Sequence, residues 1–142
     1  MSERPKHSVS VAAVVVNDEG RVLVIKRRDN GSWEIPGGIL ELDESIHDGV
    51  RREVLEETGV EIAPERLTGV YKNLKAGVVA LVFRARVTGG SIRPTDESED
   101  VAWWSDAQVV TGMRDVFSTR VFDALNGRRP TVRIHDGSHF LD

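Results

Sequence analysis

Cysteine is absent from this sequence of 142 residues. Its absence excludes disulfide bonds, zinc sites built on thiolate ligands and a cysteine nucleophile. It also fits a reducing compartment, so we expect the protein to reside in the cytoplasm. The chain length suits one hydrophobic core, and we expect residues 1–142 to form a single domain.

Long hydrophobic runs are absent too. The apolar run Val11–Val16 is far shorter than the roughly 20 residues that cross a bilayer, and the opening residues MSERPKHSVS lack the apolar core of a secretion signal. The 19 basic and 23 acidic side chains give a formal net charge of -4, so there is no basic surplus for a nucleic acid polymer. We therefore expect neither membrane association nor polymer binding, whereas a small nucleotide is an acceptable ligand.

Valine and alanine, by contrast, are plentiful in two early segments, which predicts two β-strands. Ser8–Val16 and Arg21–Lys26 are separated by the turn sequence Asn17–Gly20, so we expect a hairpin. Because the first segment is apolar at nearly every position, it should be buried on both faces, with further layers above and below the sheet. Other strands are predicted at Leu67–Lys72, Val78–Val87 and Val101–Trp104.

Capping signals delimit the first predicted helix. Its N-cap is Asp43 or Ser45, and Gly59 follows its last residue. Gly49 lies inside this helix, where glycine is unfavourable by roughly 1 kcal/mol relative to alanine, so we expect another group to pack closely against it. Just upstream, Pro36–Gly38 is predicted to end regular structure.

The C-terminal part of the chain predicts a second helical region and a tail. The helical region starts near Ser105, is interrupted around Gly112 and ends at Asn126. In the tail, residues 128–142, the segment Thr131–Ile134 is predicted to be an edge strand or a contact in a homodimer.

Three glutamates carry the clearest chemical signal. Glu53, Glu56 and Glu57 lie at positions i, i+3 and i+4, so on a helix they project from one face. Magnesium, which prefers oxygen ligands, would relieve their mutual repulsion. Exposed glutamates are common on helices, so spacing alone leaves a solvated acidic face as the alternative. The adjacent Gly37 and Gly38 favour the metal site, because bare backbone can approach an ion or a phosphate closely.

Residues 38–60 resemble the Nudix box, G-x5-E-x7-R-E-U-x-E-E-x-G-U with U an aliphatic residue. Every fixed position matches, namely Gly38, Glu44, Arg52, Glu53, Val54, Glu56, Glu57, Gly59 and Val60. A motif with so many fixed positions is highly specific. The resemblance covers about residues 8–126 and leaves out the tail. It implies a Nudix-type α/β/α sandwich with a mixed β-sheet.

The resemblance also implies roles for residues of the box. Mg²⁺, or Mn²⁺ as a substitute, would be bound by Glu53, Glu56 and Glu57, with help from the backbone of Gly37 or Gly38. Glu44 would be a structural support. Arg52 would serve catalysis indirectly, because an arginine that pairs with nearby carboxylates fixes their rotamers.

Hydrolysis needs a carboxylate that takes a proton from the attacking water. Glu53 is the first candidate for this general base, Glu97 is the second and Asp100 the third. Glu97 is equally compatible with a plain surface charge in the acidic run Asp96–Asp100.

Two arginines before the box and two histidines, one of them on the helix of the box, complete the candidates. Arg27 and Arg28 end the second strand, where a guanidinium can grip a phosphate, so we expect one of them to bind substrate. We select Arg28, because the family places such a residue there. His47 and His135 are interpreted as surface or interface residues, since a single histidine of this kind is more often that than a ligand.

The function implied is metal-dependent hydrolysis of a diphosphate linkage in a nucleoside diphosphate-X compound. Nucleoside triphosphates and ADP-ribose-like compounds both fit, because no further signature in the sequence separates them. The alternative is a non-catalytic nucleotide- or metabolite-sensing Nudix module. That reading predicts loss of the box glutamates, and none is lost. A homodimer whose interface is formed by the tail is a further expectation.

Overall fold

The computed structural model describes residues 3–142. Its strands and helices follow one another along the chain in the order β1 (Ser8–Val16), β2 (Val22–Arg27), β3 (Trp33–Glu34), β4 (Gly37–Ile39), α1 (Ile46–Thr58), β5 (Val60–Asn73), β6 (Val78–Gly90), β7 (Ser98–Trp104), α2 (Asp106–Gly112), α3 (Asp115–Asn126) and β8 (Thr131–His135). None of the helices in residues 3–142 has the length and hydropathy of a membrane-spanning segment.

All eight strands form one mixed sheet. The strand order is β3-β2-β1-β6-β5-β8, with β4 also paired to β1 and β7 also paired to β2. β1 runs parallel to β6 along its whole length, whereas β1 and β2 are antiparallel and meet near the turn, at Val16 and Val22. The predicted α/β architecture with a mixed sheet is confirmed.

Two hydrophobic cores lie on opposite faces of the sheet, because side chains alternate along β1. Val11, Ala13 and Val15 pack in one core, to which α1 contributes Val50 and Val54. The second core combines the intervening residues of β1 with apolar residues of α2 and α3, among them Val109, Val121 and Ala124. The first strand is therefore buried on both faces, as its composition predicts, and the layers are helix, sheet and helices.

Helix α1 begins and ends at the predicted caps. The Ser45 side chain accepts a hydrogen bond from the Asp48 backbone N–H, which makes Ser45 rather than Asp43 the N-cap. Gly59 has a φ of 82° and donates its N–H to the carbonyl of Leu55. Inside the helix, a Cβ on Gly49 would lie 2.5 Å from a methyl carbon of the Leu40 side chain. Close packing at this glycine is thus confirmed.

The prediction that Pro36–Gly38 ends regular structure is confirmed before Pro36, since β3 ends at Glu34, but it is wrong for the two glycines. Gly37–Ile39 forms β4, which pairs with β1 so that Gly37 lies opposite Ala12. The approach is so close that a Cβ on Gly37 would lie 2.5 Å from the carbonyl oxygen of Val11. Glycine here permits tight backbone contact instead of breaking the strand.

Strand β5 is longer than the predicted Leu67–Lys72 and starts directly after α1. Pro64 and the charged residues after it obscure the strand pattern, and the pairing with β6 shifts register between Pro64 and Arg66. Within residues 3–142, β8 ends the strand order and pairs in parallel with β5, so the segment predicted as an edge strand lies at the edge of the sheet.

Asp123 fastens the tail to α3. Its carboxylate accepts two hydrogen bonds of 2.8 Å from Arg133, one of 2.9 Å from Thr131 and one of 2.7 Å from the hydroxyl of Tyr71. The expectation that His135 is a surface or interface residue is wrong, because the residue is only 2% exposed. The tail folds back over β8, as the pairing of His135 with Phe140 shows, and this cover excludes water from the imidazole.

Candidate active site

A cleft of about 1090 Å³ lies between α1, strand β4 and the segment that precedes β7. Its walls carry most of the candidates from the sequence, including Arg28, Gly38, Glu53, Glu57 and Glu97, together with Arg120 from α3. The predicted catalytic and binding residues therefore meet in one place, although they come from distant parts of the chain.

Three carboxylates converge inside this cleft. Glu53, Glu57 and Glu97 each offer an oxygen, and these three oxygens lie within 4.8 Å of one another. Glu53 and Glu57 share a face of α1 and are 7% and 4% exposed, whereas Glu97 comes from the segment just before β7 and is exposed. Such a spacing of oxygen ligands suits a single divalent cation.

Both helical carboxylates contact the glycine segment. The backbone N–H of Gly37 donates a hydrogen bond of 2.7 Å to Oε1 of Glu57. A Cβ on Gly38 would lie 2.5 Å from Oε2 of Glu53, so a side chain at this position would occupy the space of the carboxylate. The glutamates thus face a confined site against bare backbone instead of bulk solvent.

The electrostatics of the site favour a cation. Burial, together with the nearby charges of Glu53 and Glu97, raises the pKa of Glu57 to about 8, against the opposing hydrogen bond from Gly37. Burial likewise raises the pKa of Glu53, although the hydrogen bond from Arg52 opposes this shift. A divalent cation would stabilise the ionised form of these carboxylates, so the donor set fits Mg²⁺ or Mn²⁺.

Arg52 connects the loop before α1 to the carboxylates. Its Nε and Nη2 donate to the two oxygens of Glu44 at 2.9 and 2.6 Å, which lowers the pKa of Glu44 to about 2. Its Nη1 donates to Glu53 at 3.0 Å and to Glu56 at 3.3 Å. The two hydrogen bonds to Glu44 fix the orientation of the guanidinium. Arg52 therefore restricts the orientation of the Glu53 carboxylate.

Glu56 is placed differently from its two neighbours. Its side chain is 49% exposed, lines the cleft and contacts Arg52, but it lies outside the three-oxygen group. In this structure Glu97 occupies the third position of the group that the sequence analysis assigned to Glu56. The assignment of Glu56 as a metal ligand stays a prediction.

The second and third candidates for the base differ in position. Glu97 belongs to the three-oxygen group and is held by its backbone, whose N–H donates to Thr95 and whose carbonyl accepts from the N–H of Arg28. Asp100 lies on β7 opposite Lys26, and its carboxylate accepts a hydrogen bond from the backbone of Val101. Of these two, Glu97 is the one beside the buried glutamates.

The two predicted substrate arginines both line the cleft but have different partners. Arg27 donates to both carboxylate oxygens of Asp29, at 2.9 and 2.8 Å, and this pairing raises the pKa of the guanidinium. In the part of the chain that the structure describes, the guanidinium of Arg28 donates to a neutral acceptor, the carbonyl oxygen of Thr95, at 3.1 and 3.0 Å. Arg28 therefore keeps more of its charge available for a phosphate.

Among the charged residues of the cleft that sequence reasoning missed are Glu34 and Arg120. Burial raises the pKa of Glu34 and lowers that of Arg120. The sequence did contain an indication of Arg120. On α3 it lies on the same face as the buried Val116, Val121 and Ala124, where helical spacing predicts an apolar residue.

Comparison with known proteins agrees with this geometry. The NUDIX domain model matches residues 6–125. A MutT-like protein from Streptomyces ambofaciens is 53% identical over 137 residues, which are 96% of this chain and 89% of that protein. The human 8-oxo-dGDP phosphatase NUDT18 is 35% identical over 111 residues, 73% of this chain but only 34% of that protein.

A solved structure supports the same fold. The crystal structure of a NUDIX hydrolase from Nitrosomonas europaea superposes with a TM-score of 0.80 at 22% identity, over 94% of this chain and 82% of that one. The chain therefore belongs to the Nudix family and is a hydrolase of that family.

Proposed function

We propose that this protein, as a single Nudix domain, hydrolyses a diphosphate linkage in a nucleoside diphosphate-X compound with Mg²⁺, or Mn²⁺ as a substitute. The observation that carries the proposal is the group of three carboxylate oxygens from Glu53, Glu57 and Glu97, two of them buried against a glycine segment. Burying like charges together is costly without a cation, so the arrangement favours metal binding over a solvated acidic face.

The side chains supply the remaining requirements of the reaction. When bound, the metal would neutralise diphosphate oxygens and lower the pKa of a water molecule. A carboxylate of the group would take one proton from a water molecule, the oxygen of that water would attack a phosphorus atom, and the bond from phosphorus to the bridging oxygen would break. The two products are a phosphate-bearing nucleoside and a second phosphorylated fragment, and the proton passes to solvent.

Glu53 remains our first choice for the general base. Arg52 holds the Glu53 carboxylate at 3.0 Å, and burial raises the pKa of this carboxyl above its ordinary value, which makes it a stronger base. Glu97 is the second choice because it lies in the same oxygen group and is accessible from solvent. Asp100, which lies on β7, is the third choice.

Arg28 is proposed to bind a substrate phosphate, with Arg27 as a secondary contact. Exchanging the neutral Thr95 carbonyl for a phosphate would strengthen the hydrogen bonds of Arg28, whereas Arg27 would have to give up a charged partner. Nucleoside triphosphates and ADP-ribose-like compounds each carry the required diphosphate.

The test is a panel of diphosphate compounds incubated with Mg²⁺. We expect turnover of at least one nucleotide by the wild type, and a loss of several orders of magnitude in Glu53→Gln and Glu57→Gln with folding preserved. Glu65→Gln is the matched control, because Glu65 is an exposed glutamate on β5. A wild type that binds nucleotides but hydrolyses none would favour the sensing module instead.

We also propose a homodimer formed through the tail and residence in the cytoplasm. The edge strand β8 presents Val132 with 76% of its side chain exposed, and Leu141 nearby is 50% exposed, so apolar surface is available on this edge. Light scattering of the intact chain tests the dimer, and a monomer at all concentrations would rule it out. The compartment rests on the absence of cysteine and is tested by localising the tagged protein.

A further inference from the structure

Arg120 is an unusual side chain on the wall of the cleft. It extends from α3 toward the sheet, with its guanidinium carbon 4.9 Å from the centre of the Tyr71 ring and 5.5 Å from that of Phe117. These distances are within the range of cation–π contacts. Its Nη2 lies 3.4 Å from Nε2 of the buried His135. The guanidinium is thereby held by three ring systems.

The hydrogen-bonding capacity of Arg120 is largely unused. Within residues 3–142, Nε of Arg120 is buried and has no hydrogen-bond partner. A guanidinium has five N–H donors, and within the same residues the one side-chain atom at hydrogen-bond distance from them is Nε2 of His135. A partly buried cation without a carboxylate partner is costly, and burial lowers the pKa of this guanidinium. Such a cost is expected where a ligand supplies the missing acceptors.

The surroundings show which kind of acceptor fits. Glu34 also lines the cleft and is close enough for its charge to act on Arg120, but the two side chains form no ion pair. A phosphate beside Arg120 would be repelled by the Glu34 carboxylate. A neutral group with acceptors for the guanidinium and a donor for the carboxylate suits both residues.

The remaining wall of this part of the cleft supports a flat, uncharged group. Ser10, Ala12 and Val78 are small or apolar and line the cleft from β1 and β6. The carboxylate group and Arg28, which would hold the diphosphate, line the same cleft and belong to other elements of the fold. A nucleotide can thus place its phosphates at the metal site and its base at Arg120.

We propose that Arg120 is a specificity-determining residue that binds the nucleobase and favours a 6-oxo purine of the guanine type over a 6-amino purine of the adenine type. A guanidinium donates two parallel hydrogen bonds to the O6 and N7 acceptors of guanine, whereas adenine presents a donor in place of O6. Glu34 accepts from the ring N–H of the same base. This inference rests on the proposed function, because it assumes that the cleft takes a nucleotide.

The tail takes part in this recognition as a positioning element. His135 contacts the guanidinium directly, and Tyr71, which stacks under it, is fixed by its hydrogen bond to Asp123. Asp123 in turn holds Arg133 of β8. The C-terminal strand therefore sets the position of Arg120.

The test is the binding of guanosine 5′-monophosphate and adenosine 5′-monophosphate, measured by calorimetry. Neither compound has a diphosphate bond to be cleaved, so binding is observed without turnover. We expect the wild type to bind the guanine nucleotide roughly tenfold more tightly, and Arg120→Gln to bind both equally. Arg114→Gln is the matched control, because Arg114 also contacts the Phe117 ring but is exposed outside the cleft, and it should keep the preference.

A second variant separates charge from geometry. Arg120→Lys keeps a cation over the rings but lacks the two parallel donors of a guanidinium, so it should also lose the preference for guanine. If Arg120→Gln fails to fold, Arg120→Lys alone tests whether Arg120 determines this preference. A wild type without preference, a preference that survives in both variants, or an equal loss of affinity for the two nucleotides would overturn the proposal. Failure of the proposed function would appear separately, as intact guanine preference in a protein that hydrolyses no diphosphate compound.

Discussion

The backbone N–H of Gly37 donates a hydrogen bond of 2.7 Å to the carboxylate of Glu57. This bond joins β4 to α1 across the floor of the cleft and leaves the second carboxylate oxygen available to a cation. Because a strand and a helix meet at one buried side chain, any change in the charge of Glu57 acts on the metal site and on the fold together.

The adjacent glycines should respond to alanine in opposite ways. In Gly38→Ala the new methyl group would meet the flexible end of Glu53, which can move aside, so we expect a fold of nearly normal stability with metal affinity reduced roughly tenfold or more. In Gly37→Ala it would meet the backbone of β1, which cannot move, so we expect a loss of about 2 kcal/mol or more in unfolding free energy. Urea unfolding and Mn²⁺ titration of both variants give the comparison. If the two variants lost the same amount of unfolding free energy and the same amount of Mn²⁺ affinity, the prediction would be contradicted.

Metal-free protein should lose stability as the pH rises. The folded pKa of Glu57, about 8, exceeds its ordinary value of 4.5, so its contribution to stability is complete below about pH 4.5 and is lost as the pH rises through 8. Urea unfolding in a chelator at pH 5 and pH 8 measures this loss, and saturating Mg²⁺ should restore stability at pH 8. Glu57→Gln should show a smaller difference between the two pH values. If the free energy of unfolding changed equally between pH 5 and pH 8 in the wild type and in Glu57→Gln, the pH dependence would not come from Glu57.

Glu97 should matter more than Glu56 for metal affinity. Glu97 contributes to the three-oxygen group, while Glu56 is half-exposed and contacts Arg52. We expect Glu97→Gln to weaken Mn²⁺ binding by roughly tenfold or more and Glu56→Gln to weaken it less. Titration followed by electron paramagnetic resonance of free Mn²⁺ measures both. If Glu56→Gln weakened Mn²⁺ binding more than Glu97→Gln, the result would favour the ligands that the sequence motif implies, Glu53, Glu56 and Glu57.

Asp123 should be a strong contributor to stability, although it lies far from the proposed chemistry. In Asp123→Asn the charge that accepts hydrogen bonds from Arg133, Thr131 and Tyr71 is lost, so we expect a decrease of about 2 kcal/mol in unfolding free energy. Equilibrium unfolding in urea measures it, with Asp115→Asn, an exposed residue on the same helix, as control. A decrease no larger than that of the control would show that the tail is held by other contacts.

The local parts of this molecule were predictable from sequence, because their causes lie within a few residues. Ser45 caps α1 through a residue three positions away, and Glu53 and Glu57 share a face through helical spacing. The Nudix box encodes these short-range relations, so the fold class and the cleft wall formed by α1 followed from it.

The rest depends on contacts between distant segments. Glu97 joins the carboxylates from about forty residues away because β7 pairs with β2, and nothing in its acidic run distinguishes it from a surface charge. Arg120 reaches the cleft only because α3 packs across β5. The burial of His135 likewise depends on the tail folding back over its own strand, which no local pattern encodes.

The segments near the two ends of the chain differ in how closely they pack against the fold. Residues 3–7 precede β1 and are exposed, whereas the backbone N–H of Leu141 bonds to the carbonyl of Ile134 and the Phe140 ring lies beside Arg133. An affinity tag fused after Asp142 would begin directly beside packed residues that support Arg120. Recombinant protein for ligand measurements is therefore better purified by a tag at the amino terminus, or by a carboxy-terminal tag that is removed before use.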